Sequence, residues 1–315
     1  MAHPEGVNPL ASPLAVARRR AAGQLHGRVA GPNGRDRAER IWRTPGPRWF
    51  TPEDPVWRVH ADASMFGAGV RALLLQSLHP LAMAGVADHS DYREDPWGRL
   101  QRTSAFISTT TFGTIEDAER LIAKVRGIHR RVHGVAQDGR PYRADDPRLL
   151  MWVHCAEAES FLTMHQRYGA APLTDAQADT YVAQIGSISA HLGLPDPPQT
   201  VRDLHQVLAD FRPELMVTPA ALEAAKFVVH EPPLSRSARP AYALLVDGAV
   251  ATLPPYARSM LGMNGSTTRI ATRDRLGGAG TRLIRWVLTD PSLVAERTPV
   301  GHADEPRAAD QGAGS

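Results

Sequence analysis

The sequence is poor in cysteine and lacks long apolar runs. Cys155 is the single cysteine in 315 residues, which excludes an internal disulfide framework and a zinc or iron–sulfur site built from several cysteines of one chain. One cysteine fits a reducing compartment, and no compact apolar stretch follows the N-terminal charges. We therefore expect a cytoplasmic protein without a secretory signal. No stretch of about eighteen apolar residues is present, so the sequence predicts no transmembrane helix.

Lysine is nearly absent as well. Lys124 and Lys226 are the two lysines, and the other basic residues are arginines scattered along a chain of formal net charge +3. A nucleic-acid footprint would need a clustered basic face, so we expect no nucleic-acid partner. The hydrophobic content of 43% is typical of a globular protein, and a chain of this length can bury a large core.

Strand-like alternation, internal repeats and a βαβ rhythm are missing, whereas apolar residues recur at helical spacing in most segments. These patterns predict an all-α fold with one multi-helix domain over residues 51–291. An arm rich in Arg, Gly and Pro precedes this domain over residues 1–50 and is predicted to be flexible, with a short helix around 14–24. The small, polar residues 292–315 predict a disordered tail.

Capping residues, prolines and glycines mark the ends of the predicted helices. Thr174 and Gln177, for example, have the spacing of a capping box at the start of a helix. The predicted helices cover about 56–78, 96–112, 114–133, 147–168, 174–192, 240–252 and 255–287, and two shorter helices begin after Thr200 and Thr218.

Two histidines stand near the end of the predicted helix 114–133. His129 and His133 are four residues apart, so they would share a helix face. An imidazole on an apolar face can bind zinc, copper or haem iron. His129 continues the apolar stripe of Leu121 and Val125, which favours it as the inward ligand. The alternative is that one or both histidines lie at the exposed helix end, where cations stabilise the helix dipole.

Two further histidines lie in apolar surroundings. His154 stands in an apolar run near the start of the helix 147–168, where it would line a pocket or form a hydrogen bond to a backbone carbonyl in the core. His79 precedes Pro80, which interrupts the helical hydrogen-bond ladder. Its position suits a functional site as well as a helix kink.

A pair of arginines lies on the predicted helix 96–112. Arg99 and Arg102 are three residues apart, Thr103 follows, and Phe106 lies on the apolar part of the same helix. Inward-facing arginines are rare unless paired, because an isolated buried charge is costly. Such residues could bind a planar carboxylate or polarise a developing oxyanion. The alternative is surface pairing with nearby acids, namely Asp88, Asp91, Glu94 or Asp95.

Motifs of several other enzyme classes are missing. The sequence has no G-x-S-x-G, no P-loop, no H-E-x-x-H and no Glu-x-x-His repeats of di-iron bundles. Glu157 and Glu159 are two residues apart, so they would face different sides of a helix and would not form an acid–base pair. The Gly-rich segment 277–280 has no preceding strand, which argues against a dinucleotide-binding turn.

A series of short motifs occurs in a fixed order. They are LHP at 78–80, GVADHS at 85–90, PWGRLQRT at 96–103, FG at 112–113, HRRVHG at 129–134, YRADDP at 142–147 and WVH at 152–154. Together they closely resemble the MpaB-like oxygenase family, which shares its catalytic domain with rubber oxygenase, the latex-clearing protein. The resemblance covers residues 55–290.

The resemblance implies an all-α, globin-related fold that binds haem b through one histidine and uses dioxygen. By motif match the iron ligand is His129, with His133 as the alternative, and Arg99 and Thr103 match the distal arginine and threonine of the family. The function implied is a haem-dependent oxygenase with dioxygen and a small, apolar molecule as its partners. A non-catalytic haem-binding or sensing protein, and a zinc-dependent hydrolase using His129 and His133, are the alternatives.

On this interpretation four residues would act in catalysis on the side of the haem where dioxygen reacts, namely Arg99, Arg102, Thr103 and His79. Five residues would contact the cofactor, namely His129, His133, His154, Arg99 and Phe106. Arg102 stands where rubber oxygenases have a lysine that can occupy the sixth position of the iron. A guanidinium has no free lone pair for iron. The sequence therefore predicts no capping of the iron by this side chain and a substrate other than polyisoprene. It assigns no oligomeric state.

Overall fold

The computed structural model describes residues 13–90 and 93–289, and it confirms the predicted all-α class. The predicted tail 292–315 lies outside the described residues. In chain order the helices are α1 (Pro13–Ala30), α2 (Gly34–Arg43), α3 (Pro55–Ala61), α4 (Met65–Gln76), α5 (Pro80–His89), α6 (Pro96–Phe112), α7 (Ile115–His129), α8 (Pro147–Tyr168), α9 (Asp175–Leu192), α10 (Val201–Asp210), α11 (Pro219–His230), α12 (Arg239–Thr252), α13 (Pro255–Met260) and α14 (Thr267–Leu288).

Side-chain caps place several helix starts where the sequence predicts them. Thr114 accepts a hydrogen bond from the Asp117 amide at the start of α7, and Thr174 and Gln177 form a complete capping box before α9. At the start of α8, Asp146 accepts from the Arg148 amide and Pro147 occupies the first turn. These contacts satisfy amides that have no partner within the helix.

Two predicted helices are each broken in the structure. The helix expected over 56–78 ends at Ala61 and restarts at Met65, because the Asp62 carboxylate accepts from the Ser64 amide at 2.7 Å and from Arg285. The helix expected over 255–287 ends at Met260. Gly262 then adopts a positive φ of 68° that only glycine reaches readily.

The end of α7 also differs from the prediction. The helix ends at His129 instead of continuing to His133, and the chain enters a short antiparallel hairpin of β1 (His133–Val135) and β2 (Pro141–Arg143), in which His133 pairs with Arg143. The prediction that His129 and His133 share one helix face is therefore wrong, because His133 belongs to a strand.

The N-terminal segment has more regular structure than the sequence predicts. In place of a single short helix, α1 and α2 are present, and α1 packs against α6 and α14. Arg48 fixes the following loop, since its guanidinium donates to the backbone carbonyls of Ile41, Thr44, Gly46 and Phe112.

Helix α8 runs through the core and packs against α4, α9, α10 and α12. Trp152 and Phe161 on α8 are buried, and the buried Arg71 of α4 forms an ion pair with Glu159 of α8. Helices α12 and α14 approach closely at Gly248 and Gly277. The Gly-rich segment 277–280 therefore serves helix packing.

Among the described helices, none is by itself long and apolar enough to cross a membrane. Helices α4 and α5 together have the required length and composition, but they bend by 111° at the break between them.

Candidate functional site

Helices α6 and α7 are joined by Gly113 and Thr114 and contact each other. The end of α5 connects the two candidate segments. Ser90 accepts a hydrogen bond from Arg99 of α6, and the adjacent His89 contacts the carbonyl oxygen of His133, four residues after His129. Both segments therefore lie near this end of α5.

His129 occupies the last turn of α7 on its inward face. It continues the line of Ala118, Ile122 and Val125, which are buried or partly buried. Its Nδ1 is buried without a hydrogen-bond partner among the described residues. Burial lowers the pKa of His129, and the charge of Asp145 partly opposes this shift. The structure thus presents a neutral imidazole with an unsatisfied interior nitrogen.

His133 is exposed in β1, and its carbonyl oxygen lies 3.3 Å from Nε2 of His89. The structure does not bring this side chain into the interior beside His129.

His154 on α8 is buried and lies against α9. Its Nδ1 is 2.8 Å from the Ser189 hydroxyl, whereas its Nε2 is buried without a partner. Burial lowers the pKa of His154 to about 4, so the ring is neutral at physiological pH. The partner is thus a serine hydroxyl in place of the backbone carbonyl considered from the sequence, and the second ring nitrogen stays available.

His79 caps the first turn of α5. Its Nδ1 accepts from the Ala82 amide at 3.4 Å, and its Nε2 lies 3.5 Å from the Glu214 carboxylate without hydrogen-bond geometry. Trp152 and Phe211 surround the ring, and burial is the main cause that lowers the pKa of His79. These contacts favour the helix-kink interpretation over a role at the reacting side.

The candidate residues of α6 have different environments. Arg99 is partly buried and donates to the Ser90 hydroxyl at 2.8 Å. Arg102 is exposed and pairs with Asp95 at 3.2 Å, as in the surface alternative, and Thr103 is exposed too. Phe106 is partly buried against the main core. Asp91, one of the acids considered as a partner, lies outside the described residues.

A group of interior polar residues was missed by the reasoning from sequence. We call His60, Thr111, Glu157 and Tyr181 the inner polar cluster. His60 Nδ1 lies 2.8 Å from the Thr111 hydroxyl, whereas His60 Nε2 and the Tyr181 hydroxyl are buried without partners. Burial lowers the pKa of His60 to about 3 and raises that of Glu157 to about 7.

One signal in the sequence could have found this cluster. Glu157 follows His154 by one helical turn in a largely apolar helix, which is an unusual place for a carboxylate. Glu157 and Glu159 have different surroundings, as their spacing predicts, since Glu159 pairs with Arg71 of α4.

The described part of the chain brings together no three His, Cys, Asp or Glu side chains that could hold a metal ion.

Comparison with known proteins places this architecture in a family. Residues 57–287 match the family described as "ER-bound oxygenase mpaB/B'/Rubber oxygenase, catalytic domain". The chain belongs to this family. The oxygenase domain thus includes α6, α7, α8 and the inner polar cluster, and the match supports an enzyme of the oxygenase class.

Two mycobacterial relatives match part of this chain. They are "Uncharacterized protein Mb2261" of Mycobacterium bovis and "Uncharacterized protein Rv2237" of Mycobacterium tuberculosis, each 30% identical over 118 residues, or 36% of this chain and 46% of the relative. The chain thus spans just under half the length of these curated relatives. No solved structure matches the chain.

Proposed function

We propose that the chain is a haem b-dependent oxygenase acting on a small, apolar substrate, with the iron held by the single imidazole of His129 in a globin-related core. Membership of an oxygenase family supports the reaction class. The observation that carries the cofactor assignment is the buried, unpartnered Nδ1 of His129. Burial also keeps this imidazole neutral, which is the form that binds metal ions.

His154 would contact the same cofactor. The Ser189 hydroxyl fixes its Nδ1, so its orientation is set and its Nε2 faces the interior. A hydrogen bond to the far nitrogen commonly orients a histidine toward a bound group. His133 is the weaker alternative to His129, because it is exposed in β1.

The His, Cys, Asp and Glu side chains of the described residues give no support to a zinc-dependent hydrolase. Catalytic zinc takes three protein ligands, and no such group occurs in residues 13–90 and 93–289. Haem iron needs one protein ligand, because the macrocycle supplies the others.

Arg99 would serve the polar side of the pocket. Ser90 accepts a hydrogen bond from its guanidinium, and the adjacent His89 contacts the carbonyl of His133, four residues after His129. A guanidinium suits a haem carboxylate or a negatively charged oxygen. Arg102 and Thr103 would stand at the exposed rim, and Phe106 would form part of the apolar wall. When bound, haem would supply the redox chemistry with dioxygen, while the chain supplies ligand, polarity and access.

Substitution of His129, of His133 and of His205, an exposed histidine of α10 that serves as the control, tests the ligand assignment. In protein expressed with haem supplied, His129→Ala should lose the haem or change its visible absorption spectrum. His133→Ala and His205→Ala should retain the wild-type spectrum, since both side chains are exposed. An unchanged spectrum and haem content in His129→Ala would contradict the assignment. Dioxygen consumption with candidate alkenes or lipids would then separate an oxygenase from a haem sensor.

A further inference from the structure

The hydroxyl group of Tyr181 is an interior donor with nothing to bind. Tyr181 on α9 is fully buried, with 0% of its surface exposed, and its hydroxyl has no hydrogen-bond partner in the described part of the chain. Proteins seldom leave such a group unsatisfied, because burial removes its bonds to water. A ligand or an ordered water must therefore complete this site.

Glu157 lies three residues after His154 and four before Phe161, so it shares their face of α8. On this face His154 contacts Ser189 of α9, and Phe161 contacts His60, which lies against Tyr181. The charge of Glu157 contributes to the raised pKa of Tyr181, second to burial. Ala156 and Ala158 on either side have 0% exposure, whereas Glu157 keeps part of its surface accessible. Part of the Glu157 side chain is therefore not covered by neighbouring residues. It forms no hydrogen bond or ion pair with the other described residues.

His60 of α3 contributes a third polar atom beside Tyr181. Its ring centroid lies 6.0 Å from that of Tyr181, and Thr111 fixes its Nδ1, so its buried Nε2 remains without a partner. Phe161 lies against the same imidazole, with ring centroids 5.6 Å apart. The His60 and Tyr181 rings therefore lie next to each other, with the apolar ring of Phe161 against His60.

The chemistry of these groups selects the ligand. Burial raises the pKa of Glu157 to about 7, so a large share of this carboxyl group is protonated near neutral pH. A neutral carboxyl group and a phenol can each donate and accept a hydrogen bond, as can an alcohol. A pure hydrocarbon would satisfy none of the three groups, and sites of this kind reject analogues that lack the hydroxyl.

We propose that the Glu157 carboxyl and the Tyr181 hydroxyl bind the terminal hydroxyl group of the substrate, which is an otherwise apolar alcohol. His60 completes the polar end of the pocket. This inference rests on the proposed oxygenase function and names its substrate class.

A pair of probes that differ at one end tests this inference. The affinities of full-length, haem-supplied protein for 1-octanol and for 1-fluorooctane are measured by equilibrium dialysis. Fluorine is similar in size to a hydroxyl group but cannot donate a hydrogen bond. We expect the preference of wild type for 1-octanol to fall about tenfold or more in Tyr181→Phe and in Glu157→Leu. Glu157→Gln should retain most of it, because an amide still forms hydrogen bonds.

Glu119→Leu is the matched control, because Glu119 is exposed on α7 and its removal should leave the preference unchanged. Equal preferences in wild type and Tyr181→Phe would overturn the inference and leave the cluster as a site for ordered water. Tyr181→Phe removes only an unpartnered hydroxyl, so it should fold even if Glu157→Leu does not. Haem content is read from the absorption of the same samples. Absence of haem from wild-type protein that still prefers 1-octanol would count against the proposed function alone. Wild-type protein that holds haem, with equal preferences in wild type and Tyr181→Phe, would count against the present inference alone.

Discussion

At the scale of residues, the interior of this chain is distinguished by polar atoms without partners. His129 Nδ1, His154 Nε2, His60 Nε2 and the Tyr181 hydroxyl are all buried and unsatisfied in the part of the chain that the structure describes. Without a bound ligand or water, each of these atoms would destabilise the folded state, since an unmade buried hydrogen bond costs about 1–3 kcal/mol. The ion pair between Arg71 and Glu159 shows the contrast, because both of its charged groups are fully engaged.

The partly buried carboxyl of Glu157 predicts a pH-dependent stability difference. Its folded pKa, raised to about 7, lies above its unfolded value, so the folded state holds the proton more tightly. The stability from this group is present below about pH 4.5 and is lost as pH rises through 7. Glu157→Gln should match wild type near pH 4.5 and exceed it by about 1–3 kcal/mol above pH 7, as measured by urea unfolding.

Glu119→Gln provides the control at the surface and should follow the wild-type curve at every pH. A difference between Glu157→Gln and wild type that is the same at pH 4.5 and pH 8 would show that Glu157 does not hold a proton in the folded state.

At the scale of elements, capping chemistry was predictable and helix breaks were not. The starts of α7, α8 and α9 follow from Thr114, Asp146 and Thr174, whose side chains act on amides two or three residues away. The breaks after α3 and α7 depend on distant partners. Asp62 binds Arg285 of α14, and the strand at His133 needs its partner β2. Local periodicity contains no information about either contact.

The close approach of α12 and α14 gives a test at this scale. A Cβ on Gly277 would lie 2.2 Å from the Gly248 Cα, whereas a Cβ on the neighbouring Gly278 would meet nothing nearer than the end of the Arg282 side chain at 3.4 Å. Gly277→Ala should therefore destabilise the fold by about 1–3 kcal/mol in urea unfolding, because the helices must separate.

Gly278→Ala is the matched control on the same helix. It should stabilise the fold by roughly 0.5–1 kcal/mol, since alanine loses less conformational freedom than glycine in a helix. Equal effects of the two substitutions would contradict the packing account of the Gly-rich segment.

At the scale of the whole molecule, the fold class and the family were predictable from sequence, but the arrangement of the site was only partly so. Ordered short motifs identified the oxygenase family, which residues 57–287 match. The inward position of His129 followed from its apolar stripe. The exposure of Arg102, Thr103 and His133 could not be predicted in this way. It depends on where α7 ends and on how α6 is oriented in the folded chain. The inner polar cluster joins α3, α6, α8 and α9, and no local pattern links them.

The central claim is that this helical domain holds haem b through one histidine. The most direct test is the visible absorption spectrum and haem content of wild-type protein expressed with haem supplied. We expect a Soret band and one b-type haem per chain. A purified, folded protein with no Soret band, and with zinc found by elemental analysis, would contradict it.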